Sequence, residues 1–203
     1  MAKISVRQIS LKHSFNMSKT ALVLLAEGAE EMEIITPADT LRRAGVKVTI
    51  AGLAGNSAVI CSRDVKIVPD DSLENAIKNG PYDAVILPGG LKGAENLGNS
   101  AVVGSLVTQQ ESEGRLVAAI CAAPTALKKH GVGKGKRVTS YPSVKDKMEG
   151  DGYTYCEDRV VVDGQLITSR GPGTALEWSL AIVNNLMGEE TMNTLKKAML
   201  LKE

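Results

Sequence analysis

Aromatic side chains, histidine and long hydrophobic runs are all scarce in this sequence. Phe, Trp and Tyr make up 3% of the 203 residues, which leaves little surface on which nucleic-acid bases could stack. The net charge is +1 and there is no long basic block, so a dedicated nucleic-acid or membrane-surface role is disfavoured. No apolar run approaches the length of a membrane span. We therefore expect neither stable nucleic-acid binding nor a membrane protein.

Cysteine is also sparse, and its spacing argues against several kinds of site. The three cysteines, Cys61, Cys121 and Cys156, form no Cys-x-x-Cys pair and no cluster with histidine. Neither a disulfide framework nor a metal site is therefore indicated, and a reducing compartment is expected. The glycine-rich stretch 90–98 lacks the GxGxxG pattern of dinucleotide sites, and we expect no cofactor.

Short apolar runs alternate with segments of helical length along most of the chain. Strands are predicted at 21–26, 46–51, 65–68, 83–87, 116–120 and 138–140, and a hairpin with an Asp-Gly turn at 159–169. Helices are predicted at 27–44, 72–79, 100–113, 124–130, 143–149, 174–187 and 189–199. The alternation predicts an α/β fold with a doubly wound, mostly parallel sheet sandwiched by helices. In such sheets the site lies at the carboxyl ends of the strands.

Residues 1–16 differ from the rest of the chain in composition. They contain Lys3, Arg7 and Lys12 but no acidic residue. This composition is weakly typical of a mitochondrial transit peptide. The other interpretations are an alternative start, with Met17 as a second initiator, and a cloning remnant. We expect this extension to be poorly ordered or to act in targeting, and residues 17–203 to form a single domain.

Cys121 lies where a predicted buried strand turns into a predicted helix. Pro124 suits the first turn of that helix, whose N–H groups would point toward the sulfur. A helix N-terminus lowers the pKa of a cysteine, and the thiolate is the nucleophilic form. Cys121 is therefore the candidate nucleophile. The alternative is an inert buried thiol, because free cysteine is among the most buried residue types.

Neither of the two histidines is a suitable base for Cys121. His13 lies in the N-terminal extension. His130 follows Cys121 by nine residues, which is roughly 13 Å along a helix and too far for a hydrogen bond. A Cys–His dyad therefore has no obvious second member.

Glu33 is the carboxylate that we expect to meet Cys121. It follows the first predicted strand and stands between two apolar residues, where an acid is unusual. Apolar surroundings raise the pKa of a carboxyl group, and a protonated carboxyl can donate a hydrogen bond to a sulfur anion. The alternative is a solvated acid in the first helical turn, which is how we interpret Glu30 and Glu31.

Backbone donors and arginines could complete such a site. Gly89 and Gly90 end a predicted strand and, with the N–H of Ala122, could form an oxyanion hole. The alternative is a plain turn. Arg43 and Arg63 could bind an anionic substrate group, although their spacing alone favours ordinary surface arginines.

With these residues assembled, the chain from Met17 to Glu203 resembles the DJ-1 family, the Parkinson-disease-associated protein deglycases of the ThiJ/PfpI superfamily. The resemblance is carried by AEGAEEME (26–33), RRAGVKVTIAGLAG (42–55), CSRDV (61–65), GPYDAVILPGG (80–90), AAICAAPTAL (118–127), KDKM (145–148) and TSRGPGTALE (168–177). The order of these stretches is that of animal members, and we expect an invertebrate source.

The resemblance implies a flavodoxin-like fold, a homodimer and roles for individual residues. Cys121 matches the oxidisable cysteine and Glu33 the protonated glutamate that stabilises its sulfinate. Gly90 and Ala122 match the backbone donors of the oxyanion pocket. Arg63 and Arg43 match two arginines near the pocket, and the resemblance implies that Arg43 reaches in from the other subunit. Cys61 matches a secondary cysteine that can be modified.

The implied functions are those of an oxidative-stress sensor and cytoprotective protein. The implied activities are glutathione-independent conversion of methylglyoxal to lactate and removal of glyoxal adducts from protein side chains and guanine nucleotides. Small dicarbonyls and glycated protein or nucleotide adducts would then be the ligands. A redox-dependent chaperone or binding protein without turnover is the alternative. The implied location is cytoplasmic, with mitochondrial and nuclear pools.

One residue departs from the family pattern. Members often have a histidine near the cysteine, in a segment of the form Val-Thr-Thr-His-Pro, whereas this chain has Tyr141 at that position. Tyrosine has a reference pKa near 10 and is a poor base at neutral pH. Turnover that needs this histidine is therefore in question, whereas oxidation of Cys121 needs only a thiolate and Glu33. Protease activity is not expected, because the superfamily's proteases have a histidine where this chain has Ala122.

Overall fold

The computed structural model describes residues 18–150 and 152–201. Its strands are β1 (Thr20–Leu25), β2 (Lys47–Gly52), β3 (Val59–Ile60), β4 (Lys66–Ile67), β5 (Asp71–Ser72), β6 (Ala84–Leu87), β7 (Leu116–Ile120), β8 (Arg137–Val138), β9 (Thr154–Tyr155), β10 (Val160–Asp163) and β11 (Leu166–Ser169). Its α-helices are α1 (Glu31–Arg43), α2 (Leu73–Ala76), α3 (Leu91–Asn99), α4 (Ala101–Ser112), α5 (Pro124–Lys129), α6 (Lys145–Met148), α7 (Ala175–Met187) and α8 (Glu189–Ala198).

Seven strands form one sheet in the order β10-β11-β7-β6-β1-β2-β5. Every pair in it is parallel except β10 with β11, the hairpin predicted from Asp163-Gly164. β3 pairs with β4, and β8 with β9, outside this sheet. The doubly wound, mostly parallel architecture predicted from the sequence is confirmed.

Two hydrophobic layers cover the two faces of the sheet. Successive residues of a strand point to opposite faces, so Val23 and Leu25 belong to one layer and Leu22 and Leu24 to the other. The first layer includes side chains of α1, α7 and α8, among them the fully buried Trp178. The second includes side chains of α3, α4 and α5. Because both faces are buried, the central strands are continuously apolar.

Several predicted boundaries differ from those observed. α1 begins at Glu31 and not at residue 27, because residues 27–30 form a turn that Glu30 ends as the N-cap. α3 was not predicted, since two of its nine residues are glycine, which has low helix propensity. The helix predicted at 143–149 is a short 3-10 turn (Pro142–Val144) followed by α6. β9 was also not predicted.

The N-terminal extension 1–16 lies outside the described residues. Within the described ranges, no helix has the length and apolar character needed to cross a membrane.

Candidate functional site

The carboxyl ends of β1, β6 and β7 meet at a cavity of about 550 Å³. The backbone N–H of Glu30, after β1, donates to the carbonyl of Gly89, after β6, at 3.1 Å. Cys121 follows β7 directly and lines the cavity. Other lining residues include Glu30, Cys61, Arg63, Gly90 and Tyr141. The structure therefore brings together most of the residues predicted from the sequence.

Cys121 adopts a backbone conformation that residues other than glycine rarely adopt. Its φ is +61°, in the left-handed region. Hydrogen bonds hold it on both sides: its N–H donates to the carbonyl of Ser169 at 3.0 Å, and its carbonyl accepts the N–H of Tyr141 at 2.8 Å. Such strain persists only where the surroundings fix it, and a strand-to-helix elbow of this kind presents a reactive side chain.

Glu33 reaches the cysteine from the first turn of α1. Its side chain is fully buried, and Oε2 accepts the backbone N–H of Gly89 at 2.8 Å. Gly89 separates Glu33 from Cys121 by only the width of the backbone. A Cβ atom on Gly89 would lie 2.6 Å from Cβ of Cys121 and 2.7 Å from Oε2 of Glu33. Glycine at this position therefore allows the carboxyl and the thiol to lie side by side.

The surroundings of Glu33 favour its protonated form. Its other oxygen, Oε1, is buried and has no oxygen or nitrogen partner among the described residues. Burial raises the pKa of Glu33 to about 8, opposed by the Gly89 N–H and by a hydrogen bond with Cys121. A buried charged oxygen without a donor is costly, whereas a protonated one can donate to the neighbouring sulfur. Glu33 is therefore a neutral acid at neutral pH.

The pKa of Cys121 differs from the expectation. The helix N-terminus was expected to lower it, but burial raises it to about 12, and the carboxylate of Glu33 is the second cause. Cys121 is only 8% exposed, so the cost of desolvation exceeds what α5, a helix of six residues, contributes. The expected direction was wrong. The repulsion from Glu33 acts only when that carboxyl is ionised, which is above about pH 8.

Two backbone N–H groups favour a negative sulfur. Gly90 and Ala122 both donate toward the side chain of Cys121 and lower its pKa. Gly90 has a φ of +78°, and a Cβ atom there would lie 2.3 Å from the carbonyl oxygen of Gly28. The N–H of Gly89, which the sequence predicts as a third donor, is instead bonded to Glu33. The arrangement therefore provides two donors for an anion on the sulfur or on an atom bound to it.

Glu31 is not the solvated acid that the sequence predicted, and Glu30 acts as the N-cap of α1. Glu31 is only 8% exposed and accepts hydrogen bonds from Oγ of Ser62 at 3.0 Å and from the N–H of Arg63 at 3.1 Å. It ties the loop after β3 to α1. Glu30 accepts the N–H of Glu33 at 2.9 Å, and burial raises its pKa. Glutamate is an uncommon N-cap, and residues 31 and 62 are distant in sequence, so no local pattern indicates either contact.

The two arginines occupy different places. Arg63 lines the cavity. Arg43 lies at the far end of α1, ten residues and roughly 15 Å from Glu33, and its Nε pairs with Asp39 at 2.7 Å. Arg43 does not line the cavity of its own chain. Its approach to the cavity of a second subunit stays a prediction.

Cys61 and Cys121 line the same cavity. Cys61 is buried, and burial raises its pKa to about 11, with the nearby Glu31 and Glu30 as further causes. It is therefore a neutral thiol at neutral pH, and its modification stays a prediction. Cys156 is partly exposed and does not line this cavity.

The cavity can support addition to an electrophile but offers no obvious metal site. The described residues contain no group of three or more His, Cys, Asp or Glu able to hold a metal ion. Cys121 supplies a nucleophilic atom, Glu33 a neutral acid, and two N–H groups stabilise negative charge. Arg63 and Lys92 add positive charge at the cavity, and Lys92 is paired with Glu27 at 2.6 Å.

Comparisons with known proteins show what the whole chain is similar to. The DJ-1/PfpI family profile matches residues 19–185. The chain is 56% identical to the Parkinson disease protein 7 homolog of Danio rerio, over 91% of the chain and 98% of that protein. It is 45% identical to the glutathione-independent glyoxalase DJR-1.2 of Caenorhabditis elegans, over 90% of the chain and 97% of that protein. The crystal structure of Drosophila melanogaster DJ-1beta superposes with a TM-score of 0.89 at 56% identity, covering 92% of this chain and all of that one.

Proposed function

Because the chain belongs to the DJ-1/PfpI family, we propose that it is a cytoprotective oxidative-stress protein that acts through Cys121 and that also converts methylglyoxal to lactate. The observation that carries this proposal is the position of a neutral, buried Glu33 beside the Cys121 thiol, with only the backbone of Gly89 between them. This arrangement suits any chemistry in which the sulfur becomes negative or binds a negative oxygen.

In the sensor reaction, the Cys121 thiolate attacks one oxygen of hydrogen peroxide. The O–O bond breaks, the sulfur gains one oxygen as a sulfenic acid, and the other oxygen leaves as water once protonated. A second peroxide oxidises the sulfenate to a sulfinate in the same way. The neutral Glu33 donates a hydrogen bond to a sulfinate oxygen, while the N–H groups of Gly90 and Ala122 approach the same anion.

Glu33→Ala tests this reaction. Removing the carboxyl takes away the donor that stabilises the sulfinate, so we expect the sulfonate fraction at Cys121 to rise roughly tenfold at a given peroxide dose. Glu33→Gln keeps an acceptor for Gly89 and an N–H donor, and should lie between wild type and Glu33→Ala. Peptide mass spectrometry after peroxide titration measures the products. An identical product series in wild type and Glu33→Ala would show that Glu33 has no such role.

In the glyoxalase reaction, the Cys121 sulfur adds to the aldehyde carbon of methylglyoxal and forms a thiohemiacetal. As the sulfur adds, Glu33 gives its proton to the former aldehyde oxygen, and the carboxylate that remains takes the proton from that carbon. Glu33 then returns this proton to the neighbouring carbon of the enediol intermediate, which gives a lactoyl thioester. Water hydrolyses the thioester and releases lactate and the thiol. One carbon is oxidised as its neighbour is reduced, so no external oxidant is needed. The nematode relative named as a glutathione-independent glyoxalase supports this proposal.

Methylglyoxal consumption with lactate detection at neutral pH tests the enzyme activity. We expect turnover in wild type and none in Cys121→Ser, because the hydroxyl of serine is a far weaker nucleophile than a thiolate. Cys156→Ser, which changes a cysteine outside the cavity, is the matched control and should keep full turnover. If wild type does not turn over while peroxide still adds two oxygens to Cys121, the protein is a sensor without glyoxalase activity.

The same addition would attack glyoxal adducts carried on proteins or nucleotides, and we propose these as further substrates. A chaperone without turnover is the alternative function. Suppression of aggregation that persists in Cys121→Ser would favour that alternative, because it would not depend on the reactive sulfur. We also propose that the protein is a homodimer.

A further inference from the structure

Tyr141 is held beside the reactive cysteine by the backbone. Its N–H donates to the carbonyl of Cys121 at 2.8 Å, so its position is coupled to that of the nucleophile. Its ring lies against Gly171, where a Cβ atom would come within 3.2 Å of Cδ2 of the ring. The residue is therefore fixed at its backbone and supported on one side of its ring.

Tyr141 borders two cavities. It lines the Cys121 cavity and also an adjoining cleft of about 380 Å³ that includes Arg170 and Thr174. Tyr141 is 43% exposed, so a molecule that enters the cavity can reach it.

The hydroxyl of Tyr141 differs from those of the other three tyrosines. Tyr82 donates to the carbonyl of Ala76, Tyr153 to that of Val132 and Tyr155 to that of Ser140. These three hydroxyls stabilise the fold through hydrogen bonds to backbone carbonyls. The hydroxyl of Tyr141 makes no hydrogen bond to any residue in the described part of the chain, so its donor is available to a ligand.

Several of the other donors near Cys121 are already engaged. The N–H groups of Gly90 and Ala122 point at the sulfur and would hold the oxygen of the carbon that it attacks. Oγ of Ser62 donates to Glu31. Ser143 and Tyr141 remain as the neutral hydroxyls that line the cavity. Arg63 and Lys92 also line the cavity as charged donors, so a second, uncharged substrate oxygen can meet either these cations or one of the two hydroxyls.

We propose that Tyr141 is a specificity-determining residue whose hydroxyl donates a hydrogen bond to the oxygen on the carbon next to the attacked aldehyde. It would thus favour 2-oxoaldehydes over simple aldehydes. In the step concerned, the S–C bond forms, the C=O π bond of the aldehyde breaks, and the thiol proton ends on the former aldehyde oxygen. The proposal rests on the proposed role of Cys121 as a nucleophile and deepens it.

Protection of Cys121 from alkylation tests the proposal without requiring turnover. Iodoacetamide labelling of Cys121 is followed by peptide mass spectrometry in the presence of methylglyoxal or of propanal, which lacks the second oxygen. The quantity compared is the aldehyde concentration that halves the labelling rate. Loss of one neutral hydrogen bond in Tyr141→Phe should raise this concentration roughly 3- to 10-fold for methylglyoxal and leave it unchanged for propanal.

Three further variants sharpen the test. Ser143→Ala removes the other free hydroxyl of the cavity, and Tyr155→Phe removes a tyrosine hydroxyl that does not line it. Both should protect like wild type. Tyr141→His restores a donor and should recover protection by methylglyoxal.

The outcomes separate this proposal from the one on which it rests. An equal rise for both aldehydes in Tyr141→Phe, or a methylglyoxal-specific rise in Ser143→Ala instead, would overturn the role of Tyr141 while Cys121 remained the nucleophile. Failure of methylglyoxal to protect Cys121 in wild type would overturn both proposals.

Discussion

Cys121 and Glu33 share one buried position in which both groups resist ionisation. Desolvation raises the pKa of the carboxyl to about 8 and that of the thiol to about 12. As the pH rises, Glu33 therefore loses its proton first, and its charge then opposes the thiolate. The reactive state, a thiolate beside a neutral carboxyl, depends on the N–H groups of Gly90 and Ala122 and on the proton of Glu33.

The raised pKa of Glu33 predicts a particular dependence of stability on pH. Between its ordinary value of 4.5 and about 8, the folded protein holds a proton that the unfolded chain releases. The stabilisation is complete below the lower value and is lost as the pH rises through the upper one. The shift corresponds to at most about 5 kcal/mol. We expect the free energy of unfolding of wild type to fall across this range by a few kcal/mol more than that of Glu33→Gln.

Urea denaturation of both proteins across this pH range measures the difference. Glu33→Gln is the suitable reference because its side chain is nearly isosteric and does not titrate. Cys121 does not interfere, since its pKa is raised from 9.0 to about 12, outside the range. Parallel curves for the two proteins would mean that Glu33 is not protonated in the folded state.

Helices and strands could be predicted from the sequence wherever a local pattern of apolar residues determines them. The continuous apolar runs of β1, β6 and β7 mark buried strands, and because parallel strands end at one edge, the meeting of Glu33 with Cys121 followed. α3 was not predictable, because Gly93 and Gly98 suppress the helical signal and its position depends on contacts with a distant turn. The pKa of Cys121 also escaped prediction, since its burial arises from packing between segments far apart in sequence.

The two glycines of α3 should respond oppositely to alanine. A Cβ atom on Gly93 would lie 2.6 Å from Cα of Ala29, in the turn after β1, so Gly93→Ala must displace backbone beside the site. We expect a loss of about 1–3 kcal/mol in the free energy of unfolding. On Gly98 the nearest atom is Cα of Ala126 at 3.4 Å, an ordinary contact. Gly98→Ala should gain up to about 1 kcal/mol from helix propensity.

Thermal and urea unfolding of the two variants measure these changes, and each variant is the control for the other because both lie in one helix. Gly93→Ala should also alter peroxide oxidation of Cys121, since the displaced turn bonds to Gly89 through the N–H of Glu30. Equal destabilisation by both substitutions would indicate that added volume is costly at both positions of α3. The close approach of Gly93 to Ala29 would then not explain the effect of Gly93→Ala.

At the scale of the whole molecule, one side carries an accumulation of exposed apolar side chains. They lie on α1 and around the β3–β4 hairpin, and they are Met32, Ile35, Ile60, Val65 and Val68. Met32 and Ile35 are three residues apart and share a helix face. Glu31 ties the hairpin to α1 through Ser62 and Arg63, so the two elements are neighbours. An apolar patch of this kind is typical of a protein–protein interface.

We predict that this patch forms the homodimer interface. Val68 is 69% exposed in the single chain, and Val68→Asp would place an unpaired carboxylate inside the interface. Burying an unpaired charge costs several kcal/mol, so we expect the dimer dissociation constant to rise at least about 100-fold while the subunit keeps its fold. Val102 on α4 is 48% exposed outside the patch, and Val102→Asp should leave the dimer intact.

Sedimentation equilibrium measures the dimer dissociation constants of Val68→Asp and Val102→Asp.

The dimer also determines whether Arg43 can reach a reactive site. This arginine ends the same helix that carries Met32 and Ile35 but does not line the cavity of its own chain. If it contacts the cavity of the partner subunit, Arg43→Ala should change methylglyoxal protection of Cys121 in the wild-type dimer and have no effect in a Val68→Asp background. A monomeric wild type, or equal effects of Arg43→Ala in both backgrounds, would contradict this arrangement, because only a second subunit can bring Arg43 to the site.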